Sequence, residues 1–355
     1  MTKTFIIAEA GVNHNGHFEL ARELVDAAKR SGADAIKFQT FRASDLVTQS
    51  AALAPYQVKK ESLSTQYEML KKLELRSADF VKLKNYAATK RIEFLSTAFD
   101  SKSLAFIKKN IRPRIYKISS ADVTNGPLLL EYGKTGGQIF LSTGMANISE
   151  IREALFVLAF GLIKKRGIPN IKESAKYLEQ PDVKTILKEH ITILHCVSEY
   201  PAPFHDLNLN AIAFLRETFG LNTGYSDHSS GIIAPVAAVA LGATVIEKHL
   251  TLDNEMEGPD HKASLNPEDF QAMVKAIRDT GVALGKREKL IRKSEQKNSE
   301  SVRRSIVALT DIDKGEYFTE SNIGIKRPGT GVSPMRYWEY LGRVSKKKYS
   351  KDGII

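Results

Sequence analysis

Eight short apolar runs, rich in β-branched residues, alternate with helix-like segments over the first 285 residues of the chain. The runs are Thr4–Ala8, Ala33–Phe38, Ile92–Leu95, Ile115–Ile118, Gln138–Leu141, Ile191–Val197, Gly224–Tyr225 and Thr244–Lys248. Segments between them, such as Glu19–Arg30 and Ile148–Leu162, repeat apolar residues every three or four positions, which is the helical period. This rhythm predicts an α/β fold, a (β/α)8 TIM barrel. An open doubly wound sheet would normally have fewer strands and a GxGxxG turn, which this sequence lacks.

Polar residues lie in or directly after these strands. Glu9 follows the first strand, Lys37 lies in the second and Lys117 in the fourth. In a barrel all strand ends converge on the C-terminal face, where active sites lie. A buried lysine is costly unless it is paired with an anion. Two such lysines among several serines therefore predict a site for phosphate and carboxylate groups.

Two histidines follow consecutive parallel strands near the end of the barrel. His228 comes after the seventh strand and His249 after the eighth, with Asp227 and Asp260 nearby. Both strand ends lie at one edge of the sheet, so the imidazoles should be neighbours. Two imidazoles can hold a divalent cation and leave its other positions open. The alternative is a pair of hydrogen-bonded histidines without a ligand.

The chain carries a formal net charge of +11. Nucleic acid is one partner that such a charge can indicate. The lysines are scattered over predicted helix faces without interleaved aromatics, which favours a field that attracts a small anionic substrate. The single cysteine, Cys196, is expected to be a buried core thiol in a reducing cytoplasm. No signal peptide is expected, and the longest apolar run is too short to span a bilayer.

The periodic pattern ends near Gly285. The charged stretch Lys286–Ser301 predicts an exposed linker, and short β-type runs between turns follow it. We therefore expect a barrel domain over 1–285, a linker over 286–301 and a small β-rich domain over 302–355. A module of that size has little core of its own, so it should pack on something. The lengthened connection Leu162–His190 shows a helical pattern, and it contains no candidate catalytic or binding residues.

Ten motifs in this order resemble one known family. They are AEAGVNHNG, IKFQTF, FLSTAFD, YKISSAD, LSTGM, SEYPAPF, GYSDH, IEKHLT, GPDHKASL and KRPGTG. Together they resemble the bacterial sialic-acid synthases, which comprise N-acetylneuraminate synthase and its legionaminate and pseudaminate relatives. The resemblance covers nearly the whole chain and includes a C-terminal antifreeze-like (SAF) domain.

The resemblance implies a transferase that condenses phosphoenolpyruvate with an open-chain N-acetylated hexosamine and releases phosphate. The sugar would be N-acetylmannosamine or a 2,4-diacetamido-trideoxymannose. A divalent metal is implied, typically Mn²⁺, with Mg²⁺ or Co²⁺ as alternatives. A cytoplasmic homodimer is implied too, in which each SAF domain covers the barrel of the other chain; no nucleic acid or membrane partner is expected.

Site residues are carried over motif by motif. The metal ligands would be His228 and His249. The phosphoenolpyruvate site would comprise Lys37, Thr97, Lys117, Ser120, Ser142, Ser198 and Ser226. The sugar site would comprise Glu9, Tyr200, Asp260 and, from the SAF domain of the other chain, Arg327. Either Glu9 or Asp122 would move protons.

Two positions depart from the family pattern: Asp122 stands where some members have Glu, and Ser198 where others have Asn or Thr. Alternative functions are a pseudaminate synthase, a Schiff-base aldolase using Lys37 or Lys117 as nucleophile, and a barrel that binds sugar or phosphate without catalysis.

Overall fold

The computed structural model describes residues 3–53, 65–164 and 167–355. The chain divides into two compact units, Met1–Gly285 and Lys286–Ile355. Part of the long connection predicted at Leu162–His190, residues 165–166, lies outside the described residues. Within the described ranges, no helix is both long and apolar enough to cross a membrane.

The first unit is built around a sheet of eight strands. They are β1 Phe5–Gly11, β2 Ala35–Thr40, β3 Glu93–Ala98, β4 Ile115–Ile118, β5 Gln138–Ser142, β6 Ile191–Cys196, β7 Asn222–Asp227 and β8 Val245–His249. The hydrogen-bonded order is β3-β2-β1-β8-β7-β6-β5-β4, with every pair parallel. β3 also packs beside β4. The first strand therefore pairs with the last, and the predicted (β/α)8 barrel is confirmed.

Helices surround this sheet. They are α1 Phe18–Arg30, α2 Ala43–Leu46, α3 Gln66–Leu73, α4 Ser77–Thr89, α5 Ser101–Phe106, α6 Gly126–Thr135, α7 Ile148–Lys164, α8 Ser174–Leu178, α9 Pro181–His190, α10 Ala211–Phe219, α11 Ile233–Ala240 and α12 Pro267–Ala283. The local sequence explains their ends. Asn125 accepts a hydrogen bond from the amide of Leu128 and so caps α6, while Gly136 ends that helix at φ 72°.

Helices α6 and α7 approach each other closely because each has a glycine at the contact. A Cβ on Gly133 would lie 2.5 Å from the carbonyl oxygen of Leu158, and one on Gly161 would lie 2.8 Å from that of Leu130. A larger residue at either position would push the two helices apart.

The barrel interior is layered. Its floor is an apolar cluster formed by Ile7, Ala35, Leu95, Ile115, Phe140, Leu194 and Val245. Successive residues of a strand face opposite sides, so the residues two positions further on also point inward. Those residues are Glu9, Lys37, Thr97, Lys117, Ser142, Cys196 and Glu247. Several strands extend two or three residues beyond their predicted ends, so most of this polar layer lies within the strands.

The second unit contains helix α13, Lys293–Val302, within and just beyond the predicted linker. Strands β9 Ser305–Ala308 and β10 Ile323–Lys326 then pair antiparallel. A small core of Ile306, Ala308, Ile312, Phe318 and Ile323 holds this unit together. A short helix, α14 Tyr337–Tyr340, follows.

Candidate active site

A cavity of about 350 Å³ opens above the polar layer of the barrel. Twelve of the residues predicted for the site line it: Glu9, Lys37, Thr97, Lys117, Ser120, Ser142, Ser198, Tyr200, Ser226, His228, His249 and Asp260. The structure thus brings together residues from all of the strands whose ends the sequence singled out. A cavity that combines apolar walls with a few convergent polar groups is the usual form of a small-molecule site.

Two lysines and two glutamates form a buried charge layer at the bottom of this cavity. The Lys37 ammonium lies 2.8 Å from Glu9 Oε2 and 3.7 Å from Glu247 Oε2. The Lys117 ammonium lies 3.4 Å from Glu247 Oε1. All four residues are at most 5% exposed. Each charge is therefore compensated by an opposite one, as burial in a protein interior requires.

Burial and pairing shift the pKa values of this layer in different directions. Burial would lower the pKa of Lys37, but Glu247 and Glu9 outweigh it and raise that pKa. Burial lowers the pKa of Lys117 in spite of Glu247. Burial raises the pKa of Glu9. Burial would also raise the pKa of Glu247, but Lys117 and Lys37 outweigh it and lower that pKa. Lys37 is thus held as a cation, and Glu9 is the carboxylate of the layer that takes up a proton more readily than usual.

The imidazoles of His228 and His249 are neighbours, with ring centroids 5.6 Å apart. The Nδ1 of His228 lies 2.7 Å from the carbonyl oxygen of Val197, so Nδ1 carries the proton and donates it. Nε2 then presents a lone pair and accepts a hydrogen bond from the Tyr200 hydroxyl at 3.2 Å. Histidines that bind metals usually donate their other N–H to a carbonyl or carboxylate in this way.

His249 is buried, and its Nδ1 has no hydrogen-bond partner among the described residues. The nearest carboxylate oxygen, Asp260 Oδ2, is 3.8 Å from that nitrogen. Burial is the largest of the causes that lower the pKa of His249 well below its usual value. A neutral imidazole with an unused nitrogen is a suitable ligand for a divalent cation.

Within the described residues, no group of three or more His, Cys, Asp and Glu side chains is arranged to hold a metal ion. The two imidazoles fit a cation that takes its remaining positions from water and substrate oxygens. They do not form a closed structural metal site, which would need about four protein ligands.

A small cradle of hydroxyls lies around Gly144. The Gly144 amide donates a hydrogen bond to Ser120 Oγ at 2.9 Å. A Cβ at position 144 would collide with Ser198 Oγ and lie 3.2 Å from Cys196 Sγ. Only glycine allows the backbone to pass this close to the Ser198 hydroxyl. The cradle therefore supplies hydroxyl groups beside Lys117.

One predicted site residue of the barrel unit does not line the cavity, and another belongs to the second unit. Asp122 is buried in a short turn after β4, where its Oδ1 accepts a hydrogen bond from Asn125 at 3.0 Å, and it does not line the cavity. Arg327 belongs to the second unit and is exposed. Asp227, noted beside the histidines, is turned away from them and is fully buried against Lys248.

Sequence reasoning missed two residues of the site. Glu247 links both lysines and also accepts a hydrogen bond from Ser226 at 3.1 Å. Its position two residues before His249 was the available signal, because alternate residues of a strand share a face. Cys196 is buried as expected, yet it lines the cavity instead of the apolar core. Burial would raise the pKa of its thiol, but the adjacent His228 lowers that pKa to about 7.

Fold and site together define a class: a (β/α)8 barrel with a buried lysine–carboxylate layer and an open histidine pair, joined to a small β-rich unit. The model of the NeuB family matches residues 24–289, and that of the SAF domain matches residues 303–355. The chain belongs to the NeuB family and carries a C-terminal SAF domain.

Relatives named as sugar-acid synthases match nearly the whole chain. The N,N'-diacetyllegionaminic acid synthase of Campylobacter jejuni is 46% identical over 100% of this chain and 99% of its own length. A pseudaminic acid synthase of the same species is 37% identical over 99% of this chain and 93% of its own length. Among solved structures, the sialic acid synthetase of Leptospira borgpetersenii, in complex with citrate, is 32% identical with a TM-score of 0.67, covering 84% of this chain and 90% of that one.

The histidine pair yields the first prediction. Replacing His228 or His249 by alanine should abolish binding of Mn²⁺ at stoichiometric concentration, because one imidazole alone holds a divalent cation weakly. The metal content of the purified variants, measured after incubation with Mn²⁺ and gel filtration, reports the effect. Circular dichroism serves as the control for folding. Full metal occupancy in both folded variants would show that His228 and His249 are not the metal ligands.

Proposed function

We propose that this protein is a nonulosonate synthase, which condenses phosphoenolpyruvate with an open-chain N-acetylated hexosamine and releases phosphate. Membership of the NeuB family and the identity to named synthases over the full chain support this function. The observation that carries the proposal is the buried charge layer, because two lysines under a hydroxyl-lined cavity suit a small molecule with phosphate and carboxylate groups.

In this proposal Lys37 and Lys117 bind the phosphate and carboxylate of phosphoenolpyruvate. The layer holds two cations and two carboxylates, so its own charges balance. A bound polyanion then needs further positive charge, and a cation at the histidine pair would provide it. Ser120 and Ser198, in the hydroxyl cradle, would complete the hydrogen bonds to the anionic oxygens.

The reaction forms a bond between C3 of phosphoenolpyruvate and the aldehyde carbon of the sugar. Water adds to C2, and phosphate leaves with the C2–O bond broken. His228 and His249 would hold a divalent cation, for which we expect Mn²⁺, and this cation supplies Lewis-acid polarisation of the aldehyde when bound. Of the two carboxyls predicted to move protons, Glu9 is the one that lines the cavity, and its raised pKa suits proton transfer.

A Schiff-base aldolase is the second candidate, and one observation favours it: burial lowers the pKa of Lys117, as an amine nucleophile requires. Lys37 does not share this property, since its carboxylate partners raise its pKa.

The free cysteine is compatible with the reducing cytoplasm that we propose as the location of the enzyme.

The reaction test separates these candidates. Phosphoenolpyruvate and the sugar should give a nine-carbon 2-keto acid and phosphate in equal amounts, and EDTA should stop the reaction. Borohydride added during turnover should leave the protein mass unchanged, because no imine forms. An EDTA-resistant reaction with a borohydride adduct on Lys117 would establish the aldolase mechanism instead.

Loops beyond the strand ends bear on which sugar is used. Above the charge layer, the cavity has an apolar wall formed by Val12, Leu46, Val47, Met69, Leu70, Leu73 and Phe99. A sugar bound above phosphoenolpyruvate would contact this wall. A 6-deoxy sugar with two acetamido groups presents methyl groups there, whereas N-acetylmannosamine presents hydroxyls at C4 and C6. The wall and the 46% identity to a diacetyllegionaminate synthase both support the 6-deoxy, diacetamido sugar.

The apolar wall leads to a prediction for Leu70, which is partly buried and lines the cavity. The unaltered enzyme should have the higher kcat/KM with the diacetamido sugar. Leu70→Gln should lower the kcat/KM ratio of diacetamido sugar to N-acetylmannosamine by about 10-fold, since apolar pockets discriminate over roughly 10–200-fold. Each sugar serves as the control for the other. A variant that lowers both values equally would show that the wall has no part in sugar selection.

We further propose a homodimer in which each SAF domain covers the barrel of the other chain. The second unit has a small core of its own, and exposed apolar side chains such as Trp338 and Met335, at 73% and 80%, suggest that it packs on another surface. A two-fold dimer would make the exchange reciprocal. Arg327 would then contact the acetamido group of a sugar bound in the opposite barrel.

Complementation tests the exchange. Arg327→Ala and His228→Ala chains, each inactive alone, should regain activity when mixed under conditions of subunit exchange. One barrel of the mixed dimer then combines an intact histidine pair with the arginine of the other chain. The control is an Arg327→Ala/His228→Ala double variant mixed with unaltered chain at the same ratio. If verified mixed dimers show no activity, Arg327 acts on the barrel of its own chain or has no role in the site.

A further inference from the structure

A fully buried ion pair lies directly behind the histidine pair. The Lys248 ammonium is 2.6 Å from Asp227 Oδ2, and both side chains are 0% exposed. The two residues face each other in the register of β7 and β8. Each precedes one of the two histidines, so the ion pair joins the two strand ends from which His228 and His249 project.

The ion pair also fixes the backbone on the far side of His228. Asp227 Oδ1 accepts a hydrogen bond from the Ser229 amide at 2.8 Å, and the Lys248 ammonium donates to the Ser229 carbonyl oxygen. Both backbone groups of Ser229 are thus held by the pair. The carbonyl oxygen of His228 accepts in turn from the amide of Ala202 at 2.9 Å. The two peptide groups that follow His228 are therefore both held by hydrogen bonds.

His249 is fixed on the other strand by comparable bonds. Its carbonyl oxygen accepts from the Leu265 amide at 2.9 Å, and the next amide, that of Leu250, donates to the Glu9 carbonyl oxygen at 2.8 Å. Lys248 is the residue whose side chain crosses from this strand to the β7 end. On the inner face of the sheet the Ser226–Glu247 hydrogen bond also crosses between these strands, and the Lys248–Asp227 pair is the crossing bond between the residues that directly precede the two histidines.

Stability does not explain the pair. A buried salt bridge loses so much solvation that a well-packed apolar pair is often as stable or more stable. The sides of β7 and β8 that face the helices could hold apolar residues instead. Ile246, two residues before Lys248 and on the same face, is apolar and fully buried. An ion pair, however, sets the distance between two strands through short directional bonds, which apolar contacts do not.

We propose that Lys248 and Asp227 are positioning residues, which hold His228 and His249 at the separation at which both bind one divalent cation. This inference rests on the metal-binding part of the proposed function. It assigns no contact with substrate to either residue; both act through the histidines that they precede.

The test uses the double variant Lys248→Met/Asp227→Asn, which removes both charges together and so leaves no unpaired buried ion. Its Mn²⁺ affinity, measured as free Mn²⁺ by electron paramagnetic resonance in the absence of substrate, should fall 10–100-fold, the usual effect of losing a group that orients a metal ligand. Phosphoenolpyruvate binding in EDTA should stay within about twofold, since Lys37 and Lys117 are untouched.

A matched control is the double variant Arg76→Met/Asp79→Asn. It removes a pair at the start of α4, in which Arg76 is exposed and the Asp79 side chain is 4% exposed, and which does not line the cavity. Its Mn²⁺ affinity should be unchanged even if its melting temperature falls. If the Lys248/Asp227 variant does not fold, Asp227→Glu, which keeps the charge on an arm one methylene longer, should lower Mn²⁺ affinity and serves in its place.

The outcomes separate the two proposals. Unchanged Mn²⁺ affinity in the folded double variant, or in Asp227→Glu, would refute the positioning role while leaving the metal site intact. If the unaltered protein takes up no Mn²⁺, the metal site fails, and the positioning role fails with it. Equal losses in the variant and in the α4 control would show a general effect of lowered stability.

Discussion

The enclosure of four charges on an apolar barrel floor is the constraint on which the site depends. Lys37, Lys117, Glu9 and Glu247 are almost fully buried, and each is stable there only because an opposite charge lies within about 4 Å. Their geometry must therefore be rigid. A rigid, water-poor layer of charges can bind an anion without rearranging, which is how preorganised active sites stabilise charge that develops during a reaction.

Much of this could be predicted from the sequence. The alternation of β and α patterns predicted the barrel, and polar residues at predicted strand ends predicted the cavity. The two-residue period of a strand explains what was missed. Glu247 shares the inward face of β8 with His249, whereas Lys248 points outward to Asp227. The sequence alone does not say which of these two residues faces inward until the bounds of the strand are known. The position of Asp122 outside the cavity lining could not be predicted, because the short turn that holds it leaves no periodic signal.

The molecule divides its functions between layers. Strand residues provide the charge layer, whose positions are set by the sheet register. Residues after the strands provide the apolar wall, which can vary without disturbing the sheet, and we propose that it selects the sugar. This division is consistent with a family in which relatives named for different sugar acids share identity over the whole chain.

The central claim is that the buried lysine–carboxylate layer is the binding site for phosphoenolpyruvate. Calorimetric titration of phosphoenolpyruvate into the unaltered protein and into Lys117→Met, without sugar and with Mn²⁺ at a fixed concentration, tests it most directly. The account predicts saturable one-site binding to the unaltered protein and an affinity on the order of 100-fold weaker in the variant, because a buried charge-assisted contact is lost. Equal affinities in two folded proteins with the same Mn²⁺ content would contradict the claim.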